Sequence, residues 1–290
     1  MTHAQSLAKT TADAGAGLRV ETVVDGFVAR IRGIDITAMD DAIFAAIYRQ
    51  FLDTPVLVFP DQPKDAAAFF AFTNRFGQVV EHVLNQFHHP SVWGVSFITN
   101  VRPDGAPDPV GYKRSREWHT DRSYDTSPGK TTALLALEMP EIGGKTDFAD
   151  MYAAYAALPD DLRVALAGKV GIFRWSGRKA EGSVNLTPDQ TARLVDATHP
   201  ILQLHPESGR PTVYVDPGNL IGIVGMTKAD SEPILQRLFA HCLQPAFHYA
   251  HKWTVGELVI WDNRCSMHRA AGGYAPTERR VLIRTQTQSR

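Results

Sequence analysis

Three residues of metal-binding type lie far apart in this sequence, and bringing them together constrains the fold more than any other feature. His119 and Asp121 form a His-x-Asp triplet within Trp118-His119-Thr120-Asp121, and His268 follows much later in the chain. In an extended strand alternate side chains point to the same side, so His119 and Asp121 would face one point while Thr120 faces away. His268 must then reach that point from another strand, which favours a fold with distant strands side by side.

Two imidazoles and one carboxylate can occupy one face of a divalent first-row metal ion and leave the opposite face open. Non-haem Fe(II) oxygenases use this ligand set, with open positions for cosubstrate and dioxygen. Zinc hydrolases also bind their metal through two histidines and a carboxylate. A His-x-Asp triplet alone is weak evidence, since 11 histidines and 31 acidic residues produce such triplets by chance. The neighbouring sequence therefore has to support the metal site.

Two arginines follow the last of these histidines in a segment with strand character. Over residues 278–287, period-2 alternation puts Arg280 and Arg284 on one face, and Val281 and Ile283 on the other. Guanidinium groups on the inward face of a buried strand are unfavourable unless anions meet them. The planar fork of arginine binds a carboxylate or sulfonate through paired hydrogen bonds. The alternative is an edge strand carrying two solvated arginines.

Further short motifs accompany these residues along most of the chain. They are Ile34-Asp35-Ile36, Val56-Leu57-Val58-Phe59-Pro60-Asp61-Gln62, Arg75-Phe76-Gly77, Gly143-Gly144-Lys145-Thr146-Asp147-Phe148, His205-Pro206-Glu207-Ser208-Gly209-Arg210 and Trp261-Asp262-Asn263-Arg264. Each motif is unspecific, but their order and spacing are specific. The chain resembles the Fe(II)/2-oxoglutarate-dependent dioxygenases of the family of taurine dioxygenase and the 2,4-dichlorophenoxyacetate dioxygenases.

The resemblance implies roles for five residues in binding the metal and the cosubstrate. His119, Asp121 and His268 would bind Fe(II). Thr146, in the Gly-Gly-x-Thr segment, would hydrogen-bond the distal carboxylate of 2-oxoglutarate, and Arg280 would form a salt bridge to the same group. Asp121 also indicates hydroxylation, since related halogenases lack the carboxylate ligand.

The resemblance implies two further residues in substrate binding. Arg284 matches the position that binds the acidic group of the substrate in the taurine enzyme, and His82 matches a substrate-contacting histidine. The taurine enzyme has an asparagine four residues before the first iron ligand, where this chain has Ser115. This difference argues against taurine itself as the substrate.

The activity implied is hydroxylation of a small organic anion, either a carboxylate, a sulfonate or a sulfate. Dioxygen is used, and 2-oxoglutarate is converted into succinate and carbon dioxide. If the hydroxylated carbon carries oxygen, nitrogen or sulfonate, the product falls apart. A zinc-type hydrolase on the same triad and a non-catalytic module that binds metal and 2-oxoglutarate are the alternatives. A hydrolase would have no use for Thr146 and Arg280 as a dicarboxylate clamp.

Composition argues against several other classes of protein. A net charge of −1 provides no field that attracts nucleic acid or an anionic membrane. No apolar run approaches the roughly 18 residues that a membrane span needs. Cys242 and Cys265 give no disulfide framework, and an Fe(II) enzyme suits a reducing cytoplasm. We therefore expect a cytoplasmic enzyme with a small-molecule partner and, from the resemblance, a homodimer or homotetramer.

The pattern of strands and helices predicts a single dioxygenase domain over 18–290, after a disordered leader at 1–17. The fold class expected is α+β, with an all-β double-stranded β-helix (a jelly roll of the cupin type) and flanking helices. A lid-like loop is expected at about 82–116. A polar insertion is expected at about 174–198, with a helix from Pro188.

Hydrophobic periodicity predicts the individual elements. Helices are predicted at 41–51, at 64–76 with Gly77 as the stop signal, at 151–167 with a break at Pro159, and at 229–242. Strands are predicted at 56–59, 130–137, 212–215, 259–261 and 281–285.

Overall fold

The computed structural model describes residues 10–12, 18–82, 85–178 and 195–290. Most of the predicted leader and the predicted helix from Pro188 lie outside these residues. Within the described residues, no helix is both long and apolar enough to span a membrane.

Strands predominate over helices in the part of the chain that the structure describes, and the fold is mixed α+β. The helices are α1 (Asp41–Asp53), α2 (Ala66–Thr73), α3 (Pro109–Lys113), α4 (Met151–Ala156), α5 (Asp160–Leu166) and α6 (Lys228–Cys242). The strands are β1 (Thr10–Ala12), β2 (Arg19–Val24), β3 (Val28–Arg32), β4 (Val56–Phe59), β5 (Gln78–Val80), β6 (Ser96–Thr99), β7 (Gly129–Glu138), β8 (Lys145–Asp150), β9 (Val170–Phe173), β10 (Ala197–Pro200), β11 (Leu202–Leu204), β12 (Pro211–Val213), β13 (Leu220–Ile223), β14 (His248–His251), β15 (Leu258–Asp262), β16 (Ser266–Gly272) and β17 (Val281–Gln288).

The strands form one large sheet and several small ones. The main sheet has nine strands in the order β1-β2-β3-β4-β15-β7-β17-β5, and β6 pairs with the other end of β17 on the same edge as β5. A second sheet has the order β14-β8-β16, and a third the order β10-β9-β13. The β11-β12 hairpin is separate. Apart from the parallel pair β3-β4, neighbouring strands are antiparallel.

The main sheet is buried on both faces. In β15, Leu258 and Ile260 belong to an apolar cluster with side chains of α1 and α2. Val259 and Trp261 point the other way and pack in a second cluster with Phe148 of the second sheet. Because successive side chains of a strand alternate between faces, one strand can supply both layers. The space between the main and second sheets is the region where the candidate ligands meet.

A third apolar cluster lies beside these two sheets. It joins side chains of α4, α5 and α6 to the third sheet, including Leu162, Phe173 and Leu238. Trp118 and Met267 belong to the same cluster. Each of these two residues directly precedes a candidate histidine ligand, so the packing of this cluster fixes the chain on both sides of the site.

Most of the predicted helices and strands are confirmed. The first helix begins after Asp40, whose side chain accepts a hydrogen bond from the Ile43 N–H at 2.7 Å, as an N-cap residue does. The strand at Val56–Phe59 has the predicted bounds. The helical segment at 151–167 is divided at Pro159 into α4 and α5.

Gly77 does not end a helix as predicted. The helix α2 ends at Thr73, before the predicted end at residue 76. Gly77 lies where two backbones approach closely, because a Cβ atom there would collide with the carbonyl oxygen of Gln288. The glycine is therefore required by the contact between the start of β5 and the end of β17.

Two segments contain regular structure that the sequence did not indicate. Residues 10–12 form β1 and pair with β2, although the leader over 1–17 was predicted to be disordered. The segment 82–116, predicted as a lid-like loop, contains β6 and α3. Its strand β6 satisfies backbone groups along the edge of β17, which would otherwise be exposed. The function of this segment as a lid stays a prediction.

Candidate active site

His119 and His268 lie opposite each other in an isolated antiparallel bridge. The His119 N–H donates to the His268 carbonyl at 3.0 Å, and the His268 N–H donates to the His119 carbonyl at 2.9 Å. The centroids of the two imidazole rings are 4.3 Å apart. Backbone pairing therefore brings together two histidines that are distant in sequence, with His268 on a strand as predicted.

The strand predicted through the His-x-Asp triplet is limited to His119. Thr120 does face away from the site, since its hydroxyl donates to the Val215 carbonyl at 2.9 Å. Asp121 begins a turn, and Arg122 has a positive φ of 57°. The chain leaves the sheet at this point, so the position of Asp121 depends on its side-chain contacts rather than on strand pairing.

The three side chains still converge. The Nε2 atom of His119 lies 3.7 Å from Oδ1 of Asp121, and Nε2 of His268 lies 3.5 Å from Oδ2. One ligand atom from each residue can be chosen so that all three lie within 4.8 Å of one another. This spacing suits a single metal ion bound by all three groups.

The chemical state of the three groups also suits a metal. Nδ1 of His119 donates to the Glu117 carbonyl at 2.8 Å, which leaves the lone pair of Nε2 on the side of Asp121. Burial is the main cause that lowers the pKa of His268 to about 3, so its imidazole is neutral. Burial alone would raise the pKa of Asp121, but the two imidazoles, a nearby guanidinium and a hydroxyl lower it. Neutral imidazoles and an ionised carboxylate are the forms that ligate metals.

Asp121 is held by residues that the sequence analysis did not select. The Thr132 hydroxyl donates to Oδ2 of Asp121 at 2.7 Å, and the Asn263 side-chain amide donates to the Thr132 hydroxyl at 3.0 Å. Asn263 belongs to the Trp-Asp-Asn-Arg motif, which was a signal for it. Thr132 lies inside an ordinary apolar strand pattern, and nothing in the sequence distinguishes it.

Thr146 and Arg280 lie next to each other, as a shared ligand would require. Nη2 of Arg280 is 3.5 Å from the Thr146 hydroxyl oxygen, and its Nε donates to the Gly144 carbonyl at 3.0 Å. Burial lowers the pKa of Arg280 to about 10. Among the described residues, the groups that act on it after burial are Tyr274 and Arg116, and neither is a carboxylate. A dicarboxylate would supply the anion that this buried guanidinium lacks.

Arg284 is also buried with an incomplete set of partners. Among the described residues, its Nε has no hydrogen-bond partner. Burial lowers its pKa, and the nearby Asp121 and Tyr124 oppose this effect. Leu282, on the same face, packs between the two sheets, whereas Ile283 packs on the helix side of the main sheet. The predicted alternation of this strand is confirmed.

Nearly all of the predicted site residues line one cavity. Its lining residues are Ile98, Ser115, His119, Asp121, Thr132, Leu134, Thr146, Trp261, His268, Arg269, Ala270, Arg280 and Arg284. His82 is not among them. The carbonyl of His82 accepts a hydrogen bond from Nε2 of His88 at 2.7 Å. A role for His82 in substrate binding stays a prediction.

A second cluster of potential ligands, His205, Asp262 and Cys265, is built for structure instead. Nδ1 of His205 accepts two backbone N–H groups at 3.3 and 3.0 Å, so its Nε2 carries the proton and donates to Asp262 at 3.0 Å. Both nitrogens of the imidazole are thereby used. The carboxylate of Asp262 is further paired with Arg264. These contacts make His205 a structural residue.

The sequence is similar to known proteins along most of its length. The family model described as taurine catabolism dioxygenase TauD, TfdA family, matches residues 19–286. The alpha-ketoglutarate-dependent 2,4-dichlorophenoxyacetate dioxygenase of a Burkholderia species is 34% identical over 245 residues, 81% of this chain and 82% of the relative. The (S)-phenoxypropionate/alpha-ketoglutarate-dioxygenase of Sphingobium herbicidovorans is 31% identical over 271 residues, 88% of this chain and 90% of the relative.

A solved structure has the same fold. The crystal structure of AAD-2 in complex with Mn(II) and N-oxalylglycine superposes with a TM-score of 0.80 at 27% identity, covering 94% of this chain and 97% of that one. The chain belongs to the taurine dioxygenase and TfdA family of 2-oxoglutarate-dependent dioxygenases. It is an oxidoreductase of the class that uses Fe(II), 2-oxoglutarate and dioxygen. This membership favours the dioxygenase over the zinc-type hydrolase and the non-catalytic module.

Proposed function

We propose that this dioxygenase hydroxylates a small carboxylate whose body is apolar, of the aryloxyalkanoate type. The observation that carries the proposal is the buried guanidinium of Arg284 in the cavity beside Asp121, with its Nε unpartnered among the described residues. A buried N–H without an acceptor is unfavourable even beside Asp121, and a substrate carboxylate can accept from it in a charge-assisted hydrogen bond.

The rest of the cavity suits an apolar body. Ile98, Leu134 and Trp261 contribute to its lining, and Ser115 stands where an asparagine would argue for taurine. The two relatives named above act on 2,4-dichlorophenoxyacetate and (S)-phenoxypropionate. Both compounds combine a carboxylate with an aromatic ring joined through an ether oxygen. The carboxylate suits Arg284, and the aromatic ring suits the apolar lining of the cavity.

His119, Asp121 and His268 would hold Fe(II) in this proposal. Bound there, Fe(II) supplies the activation of dioxygen for hydroxylation, with conversion of 2-oxoglutarate into succinate and carbon dioxide. Arg280 and Thr146 bind the distal carboxylate of 2-oxoglutarate and so fix its orientation. Arg284 holds the substrate carboxylate and turns the adjacent carbon toward the metal.

The position of hydroxylation determines what product leaves. In an aryloxyalkanoate the carbon next to the carboxylate also carries the ether oxygen. Replacing its hydrogen by a hydroxyl group gives a hemiacetal or hemiketal. The bond from that carbon to the ether oxygen then breaks, the hydroxyl proton moves to the ether oxygen, and a phenol and an oxo acid result.

Several broader features belong to the same proposal. The facing of the main and second sheets supports a jelly roll of the cupin type, with 18–290 as one domain. The segment at about 82–116 would cover the substrate, with His82 as a contact. We infer a homodimer or homotetramer in the cytoplasm, with no nucleic acid or membrane partner; the free and buried thiols of Cys242 and Cys265 suit a reducing compartment.

The charge requirement is tested with paired compounds. Fe(II)-reconstituted protein is supplied with 2-oxoglutarate and either phenoxyacetate or its neutral analogue phenoxyethanol, and succinate and phenol are measured. The proposal expects phenol from phenoxyacetate and at least about a hundredfold lower kcat/KM with phenoxyethanol, since a lost charge-assisted bidentate pair is equivalent to roughly 3 kcal/mol. Equal rates with the two compounds would contradict an anionic substrate.

A further inference from the structure

A continuous chain of hydrogen bonds links the cavity wall to Asp121. The Trp261 indole N–H donates to Oδ1 of Asn263 at 3.1 Å. Nδ2 of Asn263 donates to the Thr132 hydroxyl at 3.0 Å, and that hydroxyl donates to Oδ2 of Asp121 at 2.7 Å. Thr132, Asn263 and Trp261 are at most 1% exposed. Water therefore does not compete for these bonds.

The direction of every bond in this chain is fixed by chemistry. An ionised carboxylate only accepts, so the Thr132 hydroxyl must donate to Asp121. Its lone pairs then accept from the amide nitrogen of Asn263. The indole of Trp261 only donates, so it requires the amide oxygen of Asn263 and fixes the orientation of that amide. Reversing the donor and acceptor in any one of these hydrogen bonds would leave a buried donor or acceptor unpaired, which costs about 1–3 kcal/mol.

This series of hydrogen bonds connects Asp121 to interior strands of the main sheet. Thr132 of β7 and Trp261 of β15 are direct partners across the two strands. Asn263 follows β15, and its backbone N–H donates to the Lys130 carbonyl at 2.9 Å. The two histidine ligands are fixed by their own backbone bridge, whereas Asp121 lies beyond that bridge in a turn. A side-chain anchor is therefore needed at Asp121 more than at either histidine.

We propose that Thr132 and Asn263 are positioning residues that hold the Asp121 carboxylate in the orientation needed for metal binding. The inference rests on the proposed function only in that His119, Asp121 and His268 bind the metal. Without the Thr132 hydroxyl, the carboxylate loses its buried donor and can rotate away from the two imidazoles. Groups that orient metal ligands in this way change metal affinity by roughly 10- to 100-fold when they are removed.

The test uses two substitutions at Thr132. Thr132→Val removes the hydroxyl and keeps nearly the same volume, whereas Thr132→Ser keeps the hydroxyl and removes the methyl group. Mn(II) is titrated into each metal-free protein, and the free ion is followed by electron paramagnetic resonance. Thr132→Val should weaken Mn(II) binding by roughly 10- to 100-fold, whereas Thr132→Ser should remain within about threefold of the unchanged protein. Asn263→Leu removes the bonds to Trp261 and Thr132 but keeps the Thr132 hydroxyl beside Asp121, so it should weaken binding by a smaller factor.

Thr131→Val provides a matched control. Thr131 is the neighbouring residue on β7, is also buried, and hydrogen-bonds the Thr287 hydroxyl at 2.7 Å, away from Asp121. Its substitution should leave Mn(II) affinity within about threefold even if it lowers the melting temperature as much as Thr132→Val does.

The outcomes separate this inference from the proposed function. If the unchanged protein binds Mn(II) and Thr132→Val binds it equally well, the positioning role is wrong while the metal site stands. Equal losses in Thr131→Val and Thr132→Val would also overturn the positioning role, because general damage to β7 would then be the cause. If the unchanged protein fails to bind Mn(II) at all, the proposed metal site itself fails.

Discussion

The indole N–H of Trp253 donates to the hydroxyl oxygen of Thr146 at 2.9 Å. This bond occupies a lone pair of the Thr146 hydroxyl and leaves its proton free to donate to an acceptor in the cavity. Trp253 is itself held against His251, with the two rings perpendicular and their centroids 4.7 Å apart. The hydroxyl that is proposed to bind 2-oxoglutarate is thus oriented by a residue outside the cavity.

Replacing Trp253 by phenylalanine should weaken 2-oxoglutarate binding. The aromatic packing is largely kept, but the Thr146 hydroxyl becomes free to turn its proton elsewhere. The loss of one oriented hydrogen bond is equivalent to roughly 1 kcal/mol, so the KM for 2-oxoglutarate should rise about fivefold while the KM for the substrate stays within about twofold. Trp93→Phe, at an exposed tryptophan that packs on Phe70, is the control and should leave the KM for 2-oxoglutarate unchanged. An unchanged KM for 2-oxoglutarate in Trp253→Phe would contradict the orienting role.

Replacing Arg284 by methionine should uncouple the conversion of 2-oxoglutarate into succinate from the hydroxylation of the substrate. The variant loses the cation that meets the substrate carboxylate, so kcat/KM for phenoxyacetate should fall by at least about a hundredfold. Slow succinate formation without substrate should remain, because Arg280 and the proposed metal ligands are intact. Arg269→Met is the comparison, since Arg269 also lines the cavity but is already paired with Asp147 at 2.9 Å. Similar losses in the two variants would argue against Arg284 as the specific anion site.

An ion network around the half-exposed Glu207 should make stability depend on pH. Burial alone would raise the pKa of Glu207, but hydrogen bonds from Tyr48, Arg264 and Lys130 outweigh it and lower the pKa to about 2. Because the folded pKa lies below the ordinary value of 4.5, the stabilisation is complete above about pH 4.5 and is lost as the pH falls toward 2.

The variant Glu207→Gln isolates this effect. At pH 7 its free energy of unfolding should be lower than that of the unchanged protein by about 1 kcal/mol, because solvent screens the half-exposed carboxylate. The difference should shrink steadily in urea denaturation at pH 4 and pH 3. Glu141→Gln, at an exposed position, should be neutral throughout. A difference that stays constant with pH would show that the charge of Glu207 is not its cause.

The two clusters of potential ligands should respond differently to the loss of a histidine. His205→Ala removes one partner of the buried pair with Asp262 and should destabilise the fold by roughly 3 kcal/mol, yet leave Mn(II) affinity nearly unchanged. His268→Ala should abolish tight Mn(II) binding with a smaller loss of stability. Mn(II) titration and thermal unfolding of both variants distinguish the two roles. Loss of Mn(II) binding in a folded His205→Ala protein would contradict the assignment.

The residues of the candidate site could be predicted where chemistry is carried by the residue type itself. His119, Asp121, His268 and the arginine pair form an unusual set, and alternation on β17 correctly put Arg284 on the inward face. The strand predicted at Asp121 was wrong, because a single bridged residue followed by a turn has the same His-x-Asp spacing as a strand.

The supporting residues could not be predicted because their partners are brought together only by the fold. Thr132 reaches Asp121 across 11 residues and Trp253 reaches Thr146 across 107. Neither residue has a local pattern that indicates hydrogen bonding rather than packing. Gly77 was misread for a similar reason, since its close contact with Gln288 comes from strand pairing between β5 and β17.

The most direct test of the central claim is the stoichiometry of succinate and substrate in air. Fe(II)-reconstituted protein is incubated with 2-oxoglutarate and phenoxyacetate, beside a His119→Ala control of confirmed fold. The account predicts one succinate for each phenoxyacetate consumed and no succinate above background in the control. If iron and 2-oxoglutarate bind to the unchanged protein and yet no succinate forms with any carboxylate, sulfonate or sulfate, the assignment of this site as a dioxygenase centre is contradicted.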